Sequence, residues 1–248
     1  MQEKIKIFNH KGQRLAAILH TPEKETDKIV IVSHSFKGDK EYQPIMRNFP
    51  VVAEKEGYAV IRFDCFGSGE SDGEFEDSTT TTQIEDLEDV IAFVKDKGYN
   101  QICLIGLSQG TTLSIMAYTE EIKCMVLWSP VFNHKRIYEI YKEEMENNGF
   151  IIRKKNLTGE EVKVGKKMLE EFGRTDTADK LKTVQCPTLA IIGSEDEHIT
   201  QEKAERYMEL VPTTHKLEVI QNGDHDYLTK EIEDKVIDLS ISWLKEHF

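Results

Sequence analysis

The sequence predicts an α/β fold, a mostly parallel sheet covered by helices on both faces. Short β-type runs alternate along the chain with longer amphipathic stretches. The later runs are near-continuous in Val, Ile and Leu, as strands buried on both faces must be. No internal repeat or low-complexity linker divides the 248 residues, so one large core is expected.

Taken in order, "KIKIF" (4–8) and "RLAAILH" (14–20), split by "NHKGQ", read as an opening hairpin. Strands then follow at 28–33, 59–63, 101–107, 123–128, 188–193 and 216–220. Between them, Ile84, Leu87, Val90, Ile91 and Val94 recur at helical steps over 83–97. Ile232, Val236, Ile237, Ile241 and Leu244 do the same over 231–247. From 133 to 184 the chain runs some fifty residues where one helix would suffice. Two helix-like stretches lie there, "IYEIYKEEMENNG" and "GEEVKVGKKMLEEFG", ending at Gly149 and Gly173. The division expected is a core of 1–132 and 185–248 with a cap or lid at 133–184.

The formal charge of −13 argues against nucleic acid or an anionic membrane as a main partner. No signal-peptide core and no apolar run of spanning length is present, and Cys65, Cys103, Cys124 and Cys186 lack paired or zinc-ligand spacing. Free buried thiols in the cytoplasm are therefore expected, with no metal and no cofactor.

The chemistry centres on "QICLIGLSQGTT". Gly-x-Ser-x-Gly after a buried strand and before a helix makes a sharp turn that lifts a serine hydroxyl clear of the backbone. Gly106 and Gly110 keep side chains out of that turn. A serine needs a base to take its proton and an acid to orient the base. "SEDEHI" follows the strand at 188–193 and "QNGDHDY" follows the strand at 216–220. Ser108, Asp196 and His225 would thus meet at the carboxyl edge of the sheet, where parallel α/β folds hold ligands. Asp196 shares its turn with Glu195 and Glu197; its place three after Gly193 and three before Ile199 favours it. His198 reads as a rim residue, and Asp224 and Asp226 flank the base. Oxyanion donors are expected from the backbone N–H of Gln109 and, in "VSHSFKGDK", of Phe36. Lys37 and Lys40 read as solvent-facing.

"HSFKGD" (34–39), "RFDCFGSGESDGEF" (62–75), "GLSQG" (106–110), "GSEDEHI" (193–199) and "GDHDY" (223–227) stand in the order and spacing of α/β-hydrolase serine esterases. The chain resembles bacterial cinnamoyl (feruloyl) esterases and their lysophospholipase-like relatives, densely over 28–132 and again over 186–248. The resemblance implies an eight-stranded sheet, a cap after the sixth strand and ester hydrolysis through an acyl-enzyme. It carries the catalytic roles to Ser108, Asp196 and His225, the oxyanion hole to Phe36 and Gln109, and support of the oxyanion loop to His34. Asp64, Gly67, Gly69 and Ser71 read as turn-shaping. Ser35 replaces the family's usual glycine, which the turn tolerates if its φ stays negative, and Thr111 also replaces a glycine.

The leading expectation is a serine carboxylic-ester hydrolase for small or aromatic, hydroxycinnamoyl-type esters, with a small molecule as partner. Tyr138, Tyr141, Phe150, Met168 and Phe172 are candidates for the cap side of its pocket. A thioesterase, a lysophospholipase or monoacylglycerol-type lipase, and a small peptidase use the same triad. A non-catalytic binding protein of the same fold is the remaining alternative, and a homodimer stays open.

Overall fold

The computed structural model describes residues 1–248. It opens with an antiparallel pair, β1 (Gln2–Phe8) and β2 (Arg14–His20). Next come β3 (Lys28–Ser33), α1 (Pro44–Lys55), β4 (Ala59–Phe63) and α2 (Thr80–Asp96). β5 (Gln101–Leu107), α3 (Gln109–Met116) and β6 (Ile122–Trp128) complete the first half. An insertion follows, of α4 (Lys135–Asn148), β7 (Phe150–Lys154), β8 (Glu161–Gly165), α5 (Lys166–Arg174) and α6 (Ala178–Leu181). The chain then returns through β9 (Thr188–Gly193), α7 (Gln201–Met208), β10 (His215–Ile220) and α8 (Lys230–His247).

Eight strands form one sheet in the order β1-β2-β4-β3-β5-β6-β9-β10, and β2 alone runs opposite to the other seven. The chain passes outward from β3 to β4, then crosses back to β5 on the other side of β3. That reversal leaves a crevice between the carboxyl ends of β3 and β5, a place where open α/β sheets bind ligands. Strand burial follows the period of two: Ile29 and Ile31 enter a core of 33 residues on one face, Val30 and Val32 a core of 24 on the other. Two buried faces explain why these strands carry unbroken apolar runs.

Most boundaries lie within two residues of the sequence reading, and two elements differ further. α2 begins at Thr80 rather than 83, because Thr79 and Thr82 form a reciprocal capping box ahead of the first apolar repeat. The helix expected across 159–173 is split. Glu161–Gly165 pairs with β7 as an antiparallel hairpin, and only Lys166–Arg174 is helical. Val162 and Val164 alternate with exposed Glu161 and Lys163, a strand period that the Lys- and Glu-rich composition conceals.

The insertion owns a third core of eight residues, among them Phe75 from the main fold, Ile151, Val164, Met168 and Phe172. Gly165 seats it. A Cβ there would lie 2.0 Å from the carbonyl oxygen of Glu76, so β8 packs directly on the 3₁₀ turn Phe75–Asp77.

Candidate active site

Ser108 joins β5 to α3 with φ 55° and ψ −115°, a backbone that costs of order 1–3 kcal/mol for a non-glycine residue. Its surroundings hold it there. A Cβ on Gly106 would meet the Gly110 carbonyl carbon at 2.2 Å, and one on Gly110 would meet the Ser33 carbonyl oxygen at 2.3 Å. Thr111 ties the turn further: its hydroxyl donates to the Ser108 carbonyl at 2.6 Å and accepts from the Val131 N–H at 3.0 Å. The residue in place of a glycine thus locks the turn to the loop after β6.

Asp196 and His225 are brought together by the carboxyl ends of β9 and β10. A Cβ on Gly193 would lie 2.0 Å from the Gly223 carbonyl oxygen, so the two strand-end loops touch. His225 Nδ1 lies 2.7 Å from Asp196 Oδ2, and His225 Nε2 lies 2.8 Å from Ser108 Oγ. With the carboxylate as acceptor, Nδ1–H donates to Asp196 and Nε2 accepts the serine proton. Asp196 Oδ1 also accepts from the N–H groups of His198 and Ile199 at 2.8 and 3.1 Å. Burial alone would raise this carboxyl, but the bond to His225 and these two N–H groups outweigh it and hold the pKa below the usual range. Glu195 and Glu197, the competitors in that turn, are exposed.

The N–H groups of Phe36 and Gln109 make no hydrogen bond to other backbone groups. Gln109 opens α3, where the first N–H groups have no helical acceptor. Beside them the loop after β3 is braced by His34, buried, whose Nε2 accepts from the Cys65 N–H at 3.2 Å while Nδ1–H donates to the Ser35 carbonyl at 2.9 Å. Ser35 keeps a negative φ and the left-handed strain falls on Lys37, at φ 62°. Its hydroxyl accepts from Gln43 Nε2 at 2.6 Å, a bond that a glycine could not provide.

Lys40 is not solvent-facing. It is 2% exposed, with Nζ 2.6 Å from Asp64 Oδ2 and 2.7 Å from Glu70 Oε2. Asp64 also takes the N–H groups of Lys40 and Glu70, and Ser71 donates to its carbonyl. A Cβ on Gly69 would collide with the Asp64 carboxylate, so this block shapes the turns beside the site.

Ser108 and His225 open into a cleft of about 280 Å³ between the sheet edge and α4. Of the five cap-side candidates only Tyr141 lines it; Tyr138, Phe150, Met168 and Phe172 do not. Met168 and Phe172 are fully buried in the insertion's own core, with Tyr138 packed against it. Phe150 lies under the Lys163 ammonium. Amphipathic helices turn their apolar stripe to their own core first, so α4 gives the cleft only its edge residues Arg136, Ile137, Ile140 and Tyr141. His198 stands at the rim, its ring 4.5 Å from that of His225. His134, Arg136, Arg153 and Lys203 line the same cleft. Nothing in the sequence singled them out, because each is a common surface residue type in a segment without a motif.

A family model, that of the X-Pro dipeptidyl-peptidases (S15 family), matches residues 11–179. The chain belongs to that family. The match includes Ser108 and stops short of Asp196 and His225. A curated Escherichia coli relative, an uncharacterized 31.7 kDa protein in the traX-finO intergenic region, is 24% identical over 288 residues, spanning 98% of this chain and 100% of its own. Among solved structures, Est1E from Butyrivibrio proteoclasticus with ferulic acid bound superposes with TM-score 0.82 at 21% identity, over 97% of this chain and 99% of that one. The Pyrococcus furiosus esterase PF2001 superposes with TM-score 0.75 at 20% identity, over 100% and 91%. The fold shared with them is the α/β-hydrolase fold.

Proposed function

We propose that the protein is a serine hydrolase of small carboxylic esters. The observation that carries this reading is the unbroken chain from Ser108 through His225 to Asp196, at 2.8 and 2.7 Å, on a strained strand-to-helix turn. His225 Nε2 takes the hydroxyl proton as Ser108 Oγ attacks the ester carbonyl carbon. The resulting oxyanion is received by the N–H groups of Phe36 and Gln109. His225 then gives its proton to the departing alkoxide. Water, deprotonated by the same imidazole, attacks the acyl-enzyme and regenerates Ser108. Asp196 keeps the imidazole in the productive tautomer and offsets its charge when protonated.

A cleft of about 280 Å³ suits a short or single-ring acyl group. Ferulic acid, bound to Est1E, a protein of the same fold, is a single-ring acid of that size. Membership of the S15 family favours a second reading, release of a dipeptide from a peptide's amino terminus. That reading needs carboxylates to hold a terminal ammonium, and only Glu197 and Asp226 line the cleft.

Hydrolysis of p-nitrophenyl esters of increasing length, methyl ferulate, an acyl-thioester and an X-Pro anilide, by wild type and Ser108→Ala, tests both. The expected result is turnover of short or aromatic esters, lost in the variant, with little on the anilide. Preference for the anilide would replace this reading with the peptidase one. Full activity in Ser108→Ala would end both.

A further inference from the structure

The cleft beside Ser108 carries a charge that the rest of the molecule does not share. Acidic residues outnumber basic ones 45 to 32 over the chain. Yet Lys37, Arg136, Arg153 and Lys203 line the cleft, against Glu197 and Asp226 alone. Nearby cations outside it are taken up by carboxylates: Lys135 by Asp176, Lys154 by Glu161, Lys155 by Asp39 and Glu160. The four in the cleft form no ion pair. Lys37 Nζ donates to the Lys154 carbonyl at 2.6 Å and Arg136 to the Glu197 carbonyl at 3.3 Å, while Arg153 stacks 4.4 Å from the Tyr141 ring centre. Asp226, next to His225 in sequence, accepts from the Gln43 amide at 3.2 Å. Burial and the adjacent Arg153 keep the Lys37 ammonium below its ordinary pKa. Burial does the same for Lys203 against the pull of Asp176, with Arg206 and Arg136 repelling it. Unpaired cations crowded together at this edge raise one another's energy until an anion arrives.

A second observation is independent of charge. His134 is 2% exposed, stacks on Phe172 at 4.3 Å and lines the cleft, yet neither of its ring nitrogens has a hydrogen-bond partner. A buried imidazole without partners is costly. An acceptor entering the cleft would take its N–H.

We propose that this cleft receives an ester carrying a second, anionic group, a carboxylate or a phosphate, held among Lys37, Arg136, Arg153 and Lys203 with the His134 N–H as its buried donor. The proposal rests on the serine-esterase reading for the ester half only. The anionic half follows from these five side chains.

Two matched pairs test it. The first is p-nitrophenyl hemiglutarate against p-nitrophenyl glutaramate, which puts the charge on the acyl side. The second is 4-butyryloxybenzoate against 4-butyryloxybenzamide, which puts it on the alcohol side. In at least one pair, kcat/KM of the anion should exceed that of its neutral partner by about tenfold or more at low ionic strength. The ratio should fall toward one in about 0.5 M salt. It should also fall in Arg136→Gln/Lys203→Gln or in Lys37→Gln/Arg153→Gln. Ratios of one or below in both pairs would overturn the proposal and leave the esterase reading intact. If no ester is turned over, the esterase reading fails, and binding decides the anionic half. Glutarate or methyl phosphate should then raise the melting temperature of Ser108→Ala saturably, and which of them does so separates carboxylate from phosphate. No shift from either up to about 10 mM, a concentration that reveals even weak sites, would overturn it.

Discussion

Ser108 sits where a side chain is hardest to hold, and the glycines on either side show what holding it requires. At Gly106 an added methyl group would stand 2.2 Å from the Gly110 backbone. Gly106→Ala should therefore cost roughly 2–4 kcal/mol, measured by denaturant unfolding, or prevent folding altogether. His225→Ala should lower kcat on whatever ester is turned over by a factor on the order of 10⁴ or more, with unfolding free energy little changed. Asp196→Asn should lower kcat by roughly 10³–10⁴, since an amide no longer demands the productive tautomer. That Ser108, His225 and Asp196 come together was legible in the sequence for a physical reason. A nucleophile on a sharp turn needs glycines at fixed offsets, and its partners must follow particular strands. His134, Arg136, Arg153 and Lys203 were not legible, because a side chain that lines a cleft from an inserted helix obeys no spacing relative to Ser108. Lys40 was misread for a related reason: a lysine's partners, Asp64 and Glu70, lie 24 and 30 residues away in sequence.

At the scale of elements, the buried strands and the carboxyl edge of the sheet followed directly from apolar runs and the turns that end them. The insertion resisted. Its hairpin is built from segments as charged as its helices, and strand or helix is decided there by packing onto Phe75–Asp77 rather than by local preference. Phe172 joins this small core to the cleft, edge-on to Phe36 at 5.3 Å and stacked on His134. Phe172→Ala should cost about 3–5 kcal/mol, and it should raise KM more than it lowers kcat, because it loosens the cleft wall without touching Ser108, His225 or Asp196. Unfolding curves and steady-state kinetics on the same variant check both parts.

Across the whole molecule, pH acts through a few buried groups. Burial, with Lys203 adding repulsion, pushes His134 from 6.5 down to about 3, and Asp196 is likewise below its ordinary value. For both groups the unfolded chain binds the proton first. Their contributions are complete above the unfolded values and drain away as pH falls, from about 6.5 toward 3 for His134. His134→Phe removes two unpartnered ring nitrogens while keeping the stack on Phe172. It should flatten the loss of stability between pH 6.5 and 4 in chemical unfolding, and stabilise the protein most at the acid end. Lys40 behaves oppositely. Burial would lower it, but Asp64 and Glu70 outweigh burial and raise its pKa, so its contribution is full below the ordinary lysine value and lost only as pH climbs through the raised one. Lys40→Met would strand a buried Asp64 and should cost about 3–5 kcal/mol near neutral pH.

The central claim is that Ser108 attacks carbonyl carbon with His225 as its base. Intact-mass spectrometry after treatment with a fluorophosphonate tests it most directly. Wild type should gain a single adduct that peptide mapping places on Ser108, His225→Gln should gain it far more slowly, and Ser108→Ala should gain none. An adduct mapped to another residue, or undiminished labelling of the Ser108→Ala variant, would contradict the account.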